Sequence, residues 1–197
     1  IFPWFSEGQP ILWWSPDPRM VLRVQDFRLH RSLRKTVRAF IDTPGCEVRM
    51  DTAFSQVIRA CAESSRHGQS GTWIVEDMVA AYTRLHEQGI AHSVETWRDG
   101  VLVGGLYCIG IGKAVFGESM FMRQSDASKI ALSALIAFCR YAGIQMVDCQ
   151  QNTSHLASLG AREMRREDFI AHIRQVREAP APSWKFCALY WRNLLSA

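Results

Sequence analysis

The chain has 197 residues, 48% of them hydrophobic and 21% charged, which supports one domain of ordinary size or one domain with a small appendage, and excludes global disorder. A net charge of +4 permits a nucleic-acid partner without requiring one, and no apolar run reaches the roughly 18 residues of a membrane span. The six cysteines, at 46, 61, 108, 139, 149 and 187, form no Cys-x-x-Cys pair. That argues against zinc and redox motifs and fits reduced thiols in a cytoplasmic protein.

No basic, then apolar, then small-residue leader opens the chain. It starts at Ile1 without Met and runs straight into an aromatic cluster, so the start reads as a truncation. Residues 1–22 hold Pro3, Pro10, Pro16 and Pro18 together with Trp4, Trp13 and Trp14. So many prolines forbid a long helix. The expectation is an irregular, partly packed segment with an exposed aromatic surface, and Trp rings of this kind serve either core packing or ligand stacking.

Residues 28–40 read as a helix, with Leu29, Leu33, Val37 and Phe40 on one stripe. Arg28, Arg31, Arg34, Lys35 and Arg38 fall on the other side, with no acid between Phe27 and Ile41. A solvated face usually mixes both signs, so this one is a candidate for phosphate contacts. Glu47–Met50 reads as a short strand. Asp51 or Thr52 is expected to cap a helix that buries Phe54, Val57, Ile58 and Cys61. Ser64–Gly71 is a polar loop. Glu76–Gln88 is a helix with acids in its first turn and Gly89 past its end.

Ala91–Trp97 and Val101–Ile109 are strands joined at Arg98-Asp99-Gly100, a hairpin signal. Gly104-Gly105 marks a bulge or a close backbone approach. Ala114–Phe121 is a third strand, and Asp126–Ala142 a nearly all-apolar, hence buried, helix ended by Gly143. A strand at Gln145–Gln150, a short helix at Ser154–Leu159, a helix at Glu167–Val176 and a closing strand at Trp184–Tyr190 complete the reading. Residues 91–190 thus run β-β-β-α-β-α-α-β, an α+β chain with a mixed sheet flanked by helices. That order resembles the GCN5-related N-acetyltransferase fold.

An ordered set of stretches is more specific. Phe2-Pro3-Trp4-Phe5 is followed by Trp13-Trp14-Ser15-Pro16-Asp17-Pro18-Arg19, Gly71-Thr72-Trp73-Ile74, Ala91-His92-Ser93-Val94-Glu95 and Val103-Gly104-Gly105-Leu106-Tyr107. Gly117-Glu118-Ser119-Met120-Phe121, Ala127-Ser128-Lys129, Asp148-Cys149-Gln150 and His155-Leu156-Ala157-Ser158-Leu159-Gly160-Ala161 complete the set. The set resembles the leucyl/phenylalanyl-tRNA–protein transferase family over nearly the whole chain. The family normally carries several tens of further residues ahead of the Phe-Pro-Trp-Phe stretch. Residues 1–24 are therefore expected to be the C-terminal part of a small N-terminal domain, and 25–197 the acetyltransferase-like catalytic domain.

The resemblance implies transfer of Leu or Phe, with Met as a further donor, from aminoacyl-tRNA to the α-amine of proteins beginning with Arg or Lys. That transfer marks them for N-degron degradation. The reaction is aminolysis of an already activated ester, so no cofactor, metal or acyl-enzyme is expected, and neither is a membrane or DNA partner. Asp148 and Gln150 lie two apart on a strand and so are expected to face one side. By resemblance they form the catalytic pair, Gln150 contacting the attacking amine and Asp148 orienting Gln150. A bare reading of the residues leaves them a polar pair ending a strand. Glu118, by resemblance, receives the cationic acceptor; otherwise it is a surface or capped carboxylate. Leu106, Val115, Met120, Leu135 and Val147 match the family's pocket for the transferred side chain, or are ordinary core. Trp4 and Trp73 match the aminoacyl-adenosine end, and the basic helix would bind tRNA phosphates.

Two other readings compete. An acyl-CoA-dependent N-acetyltransferase would share the fold, but such enzymes hold pyrophosphate on a Gly-rich loop before the main helix. Here that loop, Met122-Arg123-Gln124-Ser125-Asp126-Ala127, has no glycine. A non-enzymatic RNA-binding module would explain the basic helix and leave Asp148, Gln150 and Glu118 idle.

Overall fold

The computed structural model describes residues 1–5, 8–64 and 74–195. Phe2–Pro3 (β1) and Trp13–Trp14 (β2) form a two-stranded antiparallel ribbon. Phe2 and Phe5 are buried, whereas Trp13 and Trp14 are exposed. The stretch is not irregular to residue 22, because Arg19–Arg23 is a buried strand, β3. Its Met20-Val21-Leu22 run lies just past Pro18 and carries the apolar content of an interior strand. The proline cluster ahead of it hides that from a window average.

The first helix, α1, spans Arg31–Asp42 and buries Leu33, Val37 and Phe40 as its periodicity predicts. It begins three residues later than expected, and ahead of it the backbone N–H of Arg28 donates to the carbonyl of Leu159. Cys46–Met50 is β4 and Phe54–Glu63 is α2. Neither Asp51 nor Thr52 caps α2. The buried carboxylate of Glu95 accepts from the backbone N–H groups of Thr52 and Ala53, at 2.9 and 2.7 Å. A strand residue thus satisfies donors at the helix start that no neighbour in sequence reaches.

Glu76–Glu87 is α3, and Ala91–Arg98 (β5), Val101–Ile111 (β6) and Ala114–Met122 (β7) form an antiparallel meander. Asp99 and Gly100 turn its first hairpin at φ 51° and 74°, the paired left-handed residues of a tight turn. Of the two readings of the Gly pair, close approach holds at Gly104, and the bulge lies one residue earlier, at Val103. The ladder slips beside Thr96/Trp97, and a Cβ on Gly104 would come within 2.5 Å of the Ala127 Cβ. Ala127–Ala142 is α4, almost wholly buried, closed by Gly143 in the left-handed region. Met146–Gln150 (β8), Ser154–Ser158 (α5), Arg162–Met164 (β9) and Arg166–Val176 (α6) follow. The expected closing strand at Trp184–Tyr190 does not form. Trp184 stacks on His92 with ring centroids 4.0 Å apart, and Phe186 packs on Tyr190 and Trp191. The chain ends in a helical turn and a short helix, α7 (Trp191–Leu195).

The main sheet runs β4-β5-β6-β7-β8-β3-β9. Every neighbour is antiparallel except β7 and β8, which are parallel. The fold is therefore mixed α+β, with a mostly antiparallel sheet between helices. The largest core joins α1, α4 and α7 to one face of the sheet. The other face carries two smaller cores, one under α2 and α3 and one under α6. The boundary expected after residue 24 falls just past β3, whose residues 19–23 belong to this sheet.

Candidate active site

The parallel pair β7/β8 is joined only at Val115↔Val147 and Phe116↔Asp148. β3 pairs with the other edge of β8 throughout, from Met146 to Gln150, and the residues from Gly117 on β7 and from Asp148 on β8 onward carry the polar side chains. On β7 the ladder to β6 slips, with Tyr107 opposite Ser119 but Cys108 opposite Gly117. Glu118 is the extra residue of a β-bulge. Bulges re-aim side chains at sites, and this one puts Glu118 on the face covered by α3, where the Tyr82 hydroxyl donates to its Oε2 at 2.9 Å. Burial is the main reason its carboxyl is pushed up to about 7. Asp148 adds to the shift, and the Tyr82 hydrogen bond opposes it. Tyr82 is in turn held well above the usual phenol range by burial and by Glu118.

Asp148 is buried and forms a two-point ion pair with Arg19, which is equally buried. Arg19 Nε donates to Oδ1 at 2.9 Å and Nη2 to Oδ2 at 2.5 Å. The guanidinium lies over two rings, its carbon 4.8 Å from the Phe169 centroid and 5.5 Å from that of Phe2. Oδ1 also accepts the backbone N–H of Gln150 at 2.9 Å. Gln150 stands at φ 56°, a conformation that costs a non-glycine residue free energy and needs local support. Its side-chain Nε2 donates to the Gly117 carbonyl across the β7/β8 gap at 2.6 Å.

The ladder is irregular where Asp148 and Gln150 stand. Their partners on β3 are the adjacent residues Val21 and Met20, and the ladder shifts between them. The strand bends at its end, and Asp148 meets the backbone of Gln150, not its amide. The amide is fixed by Gly117. Among the described residues no donor reaches the amide oxygen.

The remaining predicted residues are distributed as follows. Leu106, Val115, Leu135 and Val147 are buried in the main core, and Met120 packs against it; all five lie with the α4 side of the sheet. Trp4 is half-buried, its backbone tied to Leu12 and to the Trp14 indole. Trp73 lies outside the described residues, as does most of the Ser64–Gly71 loop. Arg31, Lys35 and Arg38 are exposed along α1. Arg34 is half-buried and donates to the Leu195 carbonyl, and Arg28 precedes the helix, so the cationic stripe is narrower than expected. Among the described residues, no group of three His, Cys, Asp or Glu side chains is placed to hold a metal ion.

Sequence reasoning passed over Arg19 and Tyr82 as site residues. An arginine opening an apolar strand was the available signal for the first. Nothing in the sequence ties Tyr82 to Glu118, 36 residues on.

Comparison with known proteins bears on the same residues. The family model described as leucyl/phenylalanyl-tRNA protein transferase matches residues 21–174, and the model for that family's N-terminal domain matches residues 1–17. A protein of Polaromonas sp. named leucyl/phenylalanyl-tRNA–protein transferase is 62% identical over 197 residues, covering 100% of this chain and 77% of its own length. One of the same name from Albidiferax ferrireducens is 62% identical, again over 100% of this chain and 77% of its own. Among solved structures, a functionally unknown conserved protein of Staphylococcus epidermidis superposes at a TM-score of 0.42 and 9% identity, covering 75% of this chain and 57% of its own. That likeness is too loose to argue from.

Proposed function

This chain belongs to the leucyl/phenylalanyl-tRNA–protein transferase family, and from that premise we propose how its residues divide the work of moving Leu or Phe from aminoacyl-tRNA to the α-amine of proteins that begin with Arg or Lys. The observation that carries this assignment is the convergence of Asp148, Gln150 and Glu118 on the β7/β8 gap, with the Gln150 amide turned by Gly117.

The donor ester is already activated, so the barrier falls mainly by holding amine and ester together and by stabilising the charge that develops. Gln150 accepts from the attacking amine through its oxygen. An amide is a weak base, so this contact positions the amine. Glu118, ionised above neutral pH, receives the cationic residue of the acceptor. Leu106, Val115, Met120, Leu135 and Val147 form the wall for the transferred side chain, where unbranched Met suits both Leu and Phe. Trp4, with Trp73, takes the aminoacyl-adenosine end, and Arg31, Lys35 and Arg38 bear on tRNA phosphates.

The antiparallel meander followed by α4 and the parallel strand β8 supports a GCN5-related acetyltransferase-like architecture. The two-stranded ribbon ahead of β3 supports a separate N-terminal portion. Free thiols at all six cysteines fit a cytoplasmic enzyme. Acetyl-CoA suits the chain poorly. Asp126 stands just ahead of α4 in the left-handed region and pairs with Lys129 at 2.7 Å, which puts an acid at the helix start where such enzymes hold pyrophosphate.

Single-turnover transfer of labelled Phe or Leu from charged tRNA to a peptide beginning with Arg tests the reading. Transfer is expected to the Arg peptide and to be weak with a neutral first residue. Equal labelling of both peptides, or none, would reject it.

A further inference from the structure

We propose that Arg19 is a positioning residue of the transfer reaction, and that Asp148 serves as its counterpart and not as a base. The inference rests on the reading of Gln150 as the group that orients the attacking amine.

Both oxygens of Asp148 already accept donors. Oδ1 takes Arg19 Nε and the Gln150 N–H, and Oδ2 takes Arg19 Nη2. Three of the carboxylate's roughly four lone-pair sites are taken by these donors, and the guanidinium across both oxygens fixes its orientation. The carboxylate in turn holds the Gln150 backbone at a left-handed φ. That φ sets where the Gln150 side chain departs from β8, and so which way its amide meets the Gly117 carbonyl. The order of control runs from Arg19 to Asp148 to the Gln150 backbone to the Gln150 amide.

Arg19 suits this role by shape. Its planar fork grips both carboxylate oxygens in one orientation, which a lysine ammonium cannot do. Phe2 and Phe169 both pack their rings against it. They fix the plane of the guanidinium and keep water from competing for Asp148. The pair joins three elements that are distant in sequence, β3, β8 and α6, at the strand end where the polar side chains begin. A pair serving stability alone would gain little from this place, since a buried ion pair is often no more stabilising than apolar groups of the same volume.

The test compares Arg19→Lys, Arg19→Met, Asp148→Asn, the double variant Arg19→Met/Asp148→Asn, and Gln150→Ala in the transfer assay, with melting temperatures alongside. Arg19→Met is expected to lower kcat on the order of a hundredfold, the scale of a misplaced reacting group, with KM for tRNA and peptide unchanged within about twofold. It also leaves Asp148 buried and unpaired, so its melting temperature falls. The double variant removes that unpaired charge and is expected to recover melting temperature while kcat stays low. Arg19→Lys keeps the charge without the fork and is expected to stay folded with reduced kcat.

Recovery of kcat together with stability in the double variant would show a merely structural pair. A held or raised kcat in Arg19→Met would show that Asp148, once freed, acts as a base, and would overturn the proposal. Wild-type kcat in Arg19→Lys would remove the fork from the argument. Gln150→Ala separates the two levels. If it keeps wild-type kcat, the positioning role of Gln150 fails and this inference with it. If it loses kcat while the Arg19 variants do not, only the inference about Arg19 fails.

Discussion

Glu118 shows what one residue can reveal and conceal. A lone carboxylate amid Gly117, Ser119, Met120 and Phe121 stands out in the sequence, but the bulge that aims it is invisible there, because strand alternation carries no mark of an inserted residue. The environment then sets its chemistry. With its carboxyl raised to about 7 by burial, Glu118 changes charge near neutral pH. If it binds the cationic acceptor, KM for an Arg-initiated peptide should fall as pH rises from about 6 to 8, as the carboxylate forms. Glu118→Gln should flatten that dependence and cost roughly ten- to a hundredfold in discrimination against neutral N-termini, the worth of a charged hydrogen bond of about 1.5–3 kcal/mol. A stability measurement checks the same shift with the opposite sign. The folded carboxyl is raised above its unfolded value, so its contribution is present below the unfolded value and lost as pH climbs through about 7. Glu118→Gln should therefore melt higher than the parent at about pH 8, with the difference vanishing in acid. A pH-independent KM in the parent enzyme would move the acceptor site elsewhere.

At the scale of elements, the parts with strong periodicity were legible and the short ones were not. The buried stripe of α1, the acids opening α3, the Asp99-Gly100 hairpin and the apolar α4 with its terminal glycine all follow from local sequence. β3 was missed because a proline cluster runs up to its first residue, and β9 because three residues hold too little pattern. The aromatic run from Trp184 imitates a strand, yet its rings pack on His92, Phe138 and each other. The donors that open α2 are met by Glu95, 42 residues beyond Ala53 in the chain, which reaches them only once the sheet has formed. The same comparison sharpens the test of α1. Of the cations predicted there, Arg34 is engaged with Leu195 and Arg28 lies outside the helix. Arg31 and Lys35, exposed and one turn apart, are the better probes. Replacing both with Ala should weaken tRNA binding and make its salt slope shallower by up to about two units. An unchanged slope would take α1 out of the RNA-binding surface.

On the proposed assignment of residues, the molecule separates two tasks across one sheet. α1 packs with α4 on one face, whereas Glu118, with Tyr82 of α3, and the Arg19–Asp148 pair beside Phe169 of α6 lie on the other. The sequence names the residues on both sides but not this division, because it depends on β3 entering the sheet between β8 and β9, a long-range pairing that no local pattern encodes. The division has an energetic consequence. Residues that share no partner and lie far apart contribute additively, whereas members of one hydrogen-bonded unit do not. Combining Arg31→Ala/Lys35→Ala with Gln150→Ala should therefore multiply their separate losses in kcat/KM, leaving an interaction of no more than about 0.5 kcal/mol. The cationic pair should act through tRNA affinity and Gln150 through kcat. On a minimal aminoacyl-adenosine donor, which lacks the phosphates of the tRNA body, the Arg31/Lys35 effect should disappear while the Gln150 effect persists in full. Asp148→Asn combined with Gln150→Ala should behave oppositely and be little worse than the more damaging single change. A strong coupling between α1 and Gln150 on the minimal donor would mean that the helix shapes the reaction centre through the protein itself, across α4 and the strands, rather than through the bound RNA.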